Sequence, residues 1–144
     1  MYATPHQIPE LIAGKFQVIR VIGEGGMGVV VEARHTTLDE RVAIKMLLPG
    51  YALQADSTPR FIREARAAVR IKSPHVARVS DVGTLDDGRP YMVMEYLEGC
   101  DASQLLKESG PLAIPDAVEL VVQACHAISE AHGAVVEHIA PERF

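Results

Sequence analysis

The segment VIGEGGMGVV places Gly23, Gly25 and Gly28 in G-x-G-x-x-G spacing, and Lys45 lies seventeen residues beyond Gly28 in the run RVAIK. Glycines so spaced let backbone N–H groups come close to phosphate oxygens, because no side chain intervenes. A lysine ammonium adds a compact positive charge for the same anion. Two phosphate-binding devices share this spacing and differ in the element that the last glycine opens. A dinucleotide loop must open a helix, so that the pyrophosphate meets the helix N-terminus. Here Gly28 precedes Val29, Val30 and Val31, which favour a strand. The loop therefore joins strand to strand, a glycine hairpin that can lie over a triphosphate. An ordinary tight turn is the alternative, and the lysine in VAIK argues against it.

The chain has 144 residues, 48% of them apolar and 23% charged, with a formal net charge of −5. That is one domain's worth of sequence with enough apolar material for a core, outside the regime of disorder. The acidic balance excludes a general nucleic-acid binder, which would carry a clustered basic excess. Cys100 and Cys125 have neither the number nor the spacing for a disulfide framework or a zinc site and are expected to be buried thiols. The opening MYATPHQIPELIAGKF has no basic stretch ahead of a long apolar one, and no run reaches the roughly 18 apolar residues of a membrane span. A soluble cytoplasmic chain without a membrane segment is expected.

The elements that must position the glycines and the lysine can be read from alternation and breakers. FQVIRVIG, VVVEARHT and RVAIKMLL read as three consecutive antiparallel strands, with TLDE as a turn. PRFIREARAAVRIK, from Pro59 to Lys72, reads as a helix, with Ser57-Thr58 as cap and Pro59 at its first position. VARVSDVGTL and PYMVMEYLEG flank DDGR and make strands four and five, the Asp87-Gly88 step suiting a hairpin turn. A short helical piece spans about Ser103 to Glu108, and a long helix runs from Pro115 to His132 and stops at Gly133. In that long helix Val118, Val121, Cys125 and Ile128 form an apolar stripe that Leu120, Val122, Ala124 and Ala131 widen beyond what a surface helix needs.

Residues 60–78 hold Arg60, Arg63, Arg66, Arg70, Lys72 and Arg78 against the single acid Glu64, so one helix is basic in an acidic chain. At about 100° per residue, Arg63, Arg66 and Arg70 fall opposite Phe61, Ala65 and Ala68 and read as a solvated face. Glu64 falls about 60° from Phe61, inside the apolar stripe. A buried carboxylate is implied, and it requires a cationic partner.

Gly23 to Val30, Ala43-Ile44-Lys45, Glu64 and MVMEYLEG resemble the N-terminal lobe of a protein kinase, and GEGGMGVV with FIREARAA resembles bacterial serine/threonine kinases in particular. The resemblance implies an α+β fold: a five-stranded antiparallel small lobe with one helix, then the first helices of an incomplete large lobe. It implies an N-terminal extension over 1–15, a small lobe with hinge over 16–98 and the start of a large lobe over 99–144. It assigns Ile22, Gly23, Gly25 and Gly28 to the cover over ATP, and Val30 and Ala43 to the two sides of the adenine. Lys45, paired to Glu64, holds the α and β phosphates. Met94 guards the back of the pocket, Glu95 and Leu97 offer backbone groups to the adenine edge, and Asp101 faces the ribose.

The family continues into a catalytic loop of the form H-R-D-[LI]-K-P-E-N, whereas this chain reads AHGAVVEHIAPERF. Aligned on Ile139, Pro141 and Glu142, His138 stands at the catalytic aspartate, Ala140 at the loop lysine and Arg143 at the magnesium-binding asparagine. The DFG aspartate of the family lies beyond this sequence. The resemblance thus implies a truncated serine/threonine kinase domain that keeps its ATP-binding half, with ATP as a weak ligand, magnesium ligands absent and phosphoryl transfer lost. The alternative is a non-catalytic, pseudokinase-like interaction module that docks on an intact kinase or another partner. A protein partner, or self-association, is expected through the long helix.

Overall fold

The computed structural model describes residues 8–25 and 28–139, with side chains as far as residue 133. Six strands form one antiparallel sheet: β1 (Leu11–Ile12), β2 (Phe16–Glu24), β3 (Gly28–His35), β4 (Arg41–Leu47), β5 (Val79–Thr84) and β6 (Pro90–Glu95). Their spatial order is β1-β2-β3-β4-β6-β5. Helices α1 (Pro49–Ala52) and α2 (Ser57–Arg70) connect β4 to β5, and α3 (Ala102–Ser109) and α4 (Ile114–Ile139) come after β6. The chain divides into two compact units, one running to Val69 with Ala77–Tyr96, the other Arg70–Val76 with Leu97 onward.

Alternation along the strands gives the sheet two faces with separate cores. On one face Val29, Val31 and Ala33 of β3, Ile44 and Met46 of β4, and Tyr91 and Val93 of β6 pack with Ile12, Phe16 and Leu85. On the other face Leu47, Met92 and Val79 meet Phe61 and Ala65 of α2. The helix is held there because its apolar stripe is narrow, and all of Arg60, Arg63, Arg66 and Arg70 stand exposed. The hairpin between β5 and β6 turns at Gly88, whose φ of +87° suits glycine. Arg89 fastens it, donating from Nε to Asp87 Oδ2 at 2.7 Å and from Nη1 to the Leu47 carbonyl at 2.7 Å.

Four expectations are corrected. The sheet has a sixth strand, because Leu11 and Ile12 pair with Gln17 and Phe16 across a turn in which Ala13 and Gly14 both take positive φ; a two-residue strand is too short to alternate visibly. Helix α2 begins at Ser57, so Pro59 is its third residue rather than its first, still within the turn whose N–H groups lack intrahelical acceptors. Helix α4 runs through Gly133 to Ile139: glycine costs a helix about 1 kcal/mol, and its φ here is not positive. Cys100 and Cys125 are exposed, not buried.

In the second unit, Asp101 caps α3 by accepting from the Gln104 N–H at 2.8 Å, and Gly110 ends it at φ +75°. Ile114, Val118, Val121 and Ile128 of α4 are each more than half exposed. The rings of His75 and His126 face one another at 6.0 Å.

Candidate kinase-type nucleotide site

Gly23 pairs with Val30 and Glu24 with Val29 at the end of the β2–β3 ladder, and the Gly25 N–H donates to the Gly28 carbonyl at 2.9 Å, so the glycine loop is a strand-to-strand hairpin. Its glycines are required for different reasons. A Cβ on Gly28 would stand 2.5 Å from the Met46 carbonyl oxygen, so close packing on β4 demands glycine there. A Cβ on Gly25 would meet no atom within 4 Å, and one on Gly23 only Val30 in ordinary contact, among the described residues. Neither has positive φ. Among the described residues, neither close packing nor a positive φ requires glycine at these two positions. A bare backbone of this kind has the chemistry to approach an anion such as a polyphosphate.

Register carries the loop to the lysine. Val30 pairs with Lys45, Ala43 with Met94 and Lys45 with Met92. Paired residues share a face, so Val30, Ala43, Lys45 and Met94 line the face on which α2 packs. Ile22 is exposed, Val30 and Met94 are half-buried and Ala43 is buried. Lys45 Nζ donates to Glu64 Oε1 at 2.6 Å and lies 6.0 Å from the Phe61 ring centre. The pair is formed, but the buried carboxylate is corrected: the Glu64 side chain is 53% exposed and that of Lys45 31%. Glu64 flanks the Phe61–Ala65 stripe and reaches along the sheet to the lysine. An ion pair so open to water stabilises a fold by no more than about 1 kcal/mol, so its value is in holding the ammonium in place.

Glu95 closes β6. Its N–H donates to the Arg78 carbonyl at 3.0 Å, and its Oε1 accepts from the Arg78 N–H at 2.8 Å. Leu97, largely exposed, and Asp101 belong to the second unit. His138 lies within the helical backbone of α4 and its side chain is outside the described residues, as are Ala140 and Arg143 altogether. Among the described residues no three His, Cys, Asp or Glu side chains stand together as a metal site.

One charged cluster on the Lys45 face is not anticipated from the sequence. Glu32, 5% exposed, lies opposite Arg20 of β2 and Ala43 of β4. Arg20 Nε is 2.8 Å from its Oε2 and Arg41 Nη2 2.7 Å from its Oε1. Burial, the largest influence, pushes the Glu32 carboxyl up, but the Arg41 hydrogen bond and the charges of Arg41 and Arg20 together outweigh it and hold it below its ordinary value. The available signal was a lone acid within the apolar run VVVEA, in phase with Val30.

No helix among the described residues is long and apolar enough to cross a membrane. The comparisons agree with the geometry. The family model for the protein kinase domain matches residues 16–139. The chain is 40% identical over 135 residues to the serine/threonine-protein kinase pkn3 of Myxococcus xanthus, covering 94% of this chain and 25% of that protein. It is 38% identical over 131 residues to PrkC of Bacillus subtilis, covering 91% of this chain and 20% of that one. The crystal structure of the Mycobacterium tuberculosis PknI kinase domain superposes with a TM-score of 0.71 at 30% identity, over 92% of this chain and 53% of that one. The chain thus spans a quarter or less of those curated relatives and about half of a solved kinase domain. By sequence, by sheet order and by the Lys45–Glu64 pair, the chain belongs to the protein kinase family, as a partial kinase domain of the bacterial serine/threonine type.

Proposed function

We propose that these 144 residues form the ATP-binding half of a serine/threonine kinase domain and, by themselves, bind ATP weakly without transferring its phosphoryl group. The observation that carries the binding is the pairing of an anchored Lys45 with glycines at 23 and 25 that the fold itself does not require. The backbone of Gly23, Gly25 and Gly28, with Ile22, covers the phosphates, and Lys45, held by Glu64, supplies their counter-charge. Val30 and Ala43 bracket the adenine, Met94 backs it and Glu95 presents backbone groups to its edge; the kinase resemblance assigns Leu97 to the same edge and Asp101 to the ribose, both in the second unit. Kinases use ATP with magnesium, and phosphoryl transfer depends on charge neutralisation and positioning. His138, Ala140 and Arg143 at the positions of the catalytic aspartate, the loop lysine and the metal asparagine supply neither. We place the chain in the cytoplasm, where ATP is. Incubation with ATP, magnesium and a generic protein substrate tests the loss of transfer: no phosphorylation above background is expected, and transfer abolished by Lys45→Met would overturn it.

A second role, as a non-catalytic module that docks on a kinase or on its own copy, is favoured by the exposed apolar residues of α4. A helix with Val118, Val121 and Ile128 open to water favours association through them.

A further inference from the structure

The cluster around Glu32 reaches the end of β6. Arg41 lays its guanidinium over the Tyr96 ring, 4.0 Å from the centroid, and Arg20 Nη2 donates to Tyr96 Oη at 3.2 Å. Both arginines hold Glu32, so one buried carboxylate organises the two cations that grip Tyr96. Their separation in sequence, Arg20, Glu32, Arg41 and Tyr96 on β2, β3, β4 and just past β6, means that only the folded sheet brings them together. Glu32 and Arg41 continue, by steps of two residues, the row that contains Val30, Lys45 and Ala43. Each step is about 7 Å along a strand. The carboxylate therefore stands immediately beside the Val30–Ala43 bracket, on the side away from Lys45.

We infer that Glu32 is a positioning residue for adenine recognition: through Arg41 and Arg20 it fixes Tyr96, and with it the adjoining backbone of Glu95 that borders the base. The inference rests on the nucleotide-binding proposal above and adds a residue that touches neither the base nor the phosphates. Two features favour this role over simple sheet stability. Both arginines also reach Tyr96, Arg41 as a stacked cation, favourable in itself, and Arg20 as a hydrogen-bond donor to the hydroxyl. Glu95 is fastened from its other side by Arg78, so the strand end is clamped from two directions.

The consequence is selective. Loss of the clamp loosens the adenine edge and leaves the glycine loop and Lys45 as they were. Equilibrium titration of the full chain with ATP, adenosine and inorganic tripolyphosphate separates the two. Glu32→Gln should weaken ATP and adenosine about tenfold and leave tripolyphosphate within a factor of about two. Tyr96→Leu, which removes the gripped ring and leaves the ion pairs, should reproduce the pattern and serves where Glu32→Gln fails to fold. Equal weakening of all three ligands, or no change in adenosine, overturns the inference while leaving nucleotide binding standing. A wild-type chain that binds none of the three overturns both.

Discussion

Lys45 of β4 and Glu64 of α2 are joined through a 2.6 Å contact between Nζ and Oε1, nineteen residues apart in sequence. The contact couples the sheet strand that faces the glycine loop to the helix packed beneath it. Because both side chains meet water, the pair acts on position far more than on stability. Lys45→Met and Glu64→Gln are each expected to change unfolding free energy by less than about 1 kcal/mol while weakening ATP binding. Chemical denaturation beside nucleotide titration checks both halves.

The glycine loop gives a contrasting pair. Gly28→Ala drives a Cβ against the Met46 carbonyl and should destabilise by about 1–3 kcal/mol. Gly25→Ala meets no atom of the described residues within 4 Å and should alter stability by less than about 0.5 kcal/mol, yet weaken ATP binding. Thermal unfolding with and without ATP distinguishes them; equal destabilisation by both would show that Gly25 serves the fold.

Acidification tests Glu32. Its folded-state carboxyl is held below its ordinary 4.5, so its contribution to stability is complete above that value and is lost as pH falls through the lowered one. Asp87 behaves alike: burial raises it, but hydrogen bonds from the Arg89 backbone and side chain prevail. Glu32→Gln should therefore lie below wild type at neutral pH, with the gap narrowing below 4.5. A gap independent of pH would mean that the ion pairs do not form in solution.

Association should track α4. Val121, more than half exposed, is expected to matter more than the arginines of α2, so Val121→Glu should lower self-association further than Arg66→Glu. Light scattering on the two variants decides this, and a monodisperse monomeric wild type would contradict it.

Much of the site was legible because strands and glycines leave local marks. Three valines after Gly28 showed that the loop closes strand to strand, and the kinase resemblance brought Val30, Ala43 and Lys45 together. What was not legible depends on tertiary neighbours. Helical periodicity gave Glu64 the right direction but not its exposure, because a wheel cannot say how far the covering sheet extends. Leu11–Ile12 became a strand only by meeting β2, and α4 passed Gly133 because one glycine's cost is small against a long helix. The grip of Arg20 and Arg41 on Glu32 joins three strands, and no local pattern announces it.

The proposed nucleotide binding, with its weak dependence on magnesium, is tested most directly by an ATP titration of the 144-residue chain read by thermal unfolding, with and without magnesium. ATP at about one hundred times its dissociation constant should stabilise wild type by about 2.7 kcal/mol, nearly independently of the metal, and Lys45→Met should abolish the shift. No stabilisation of wild type under either condition would contradict nucleotide binding, and a strong dependence on magnesium would contradict a site without metal ligands.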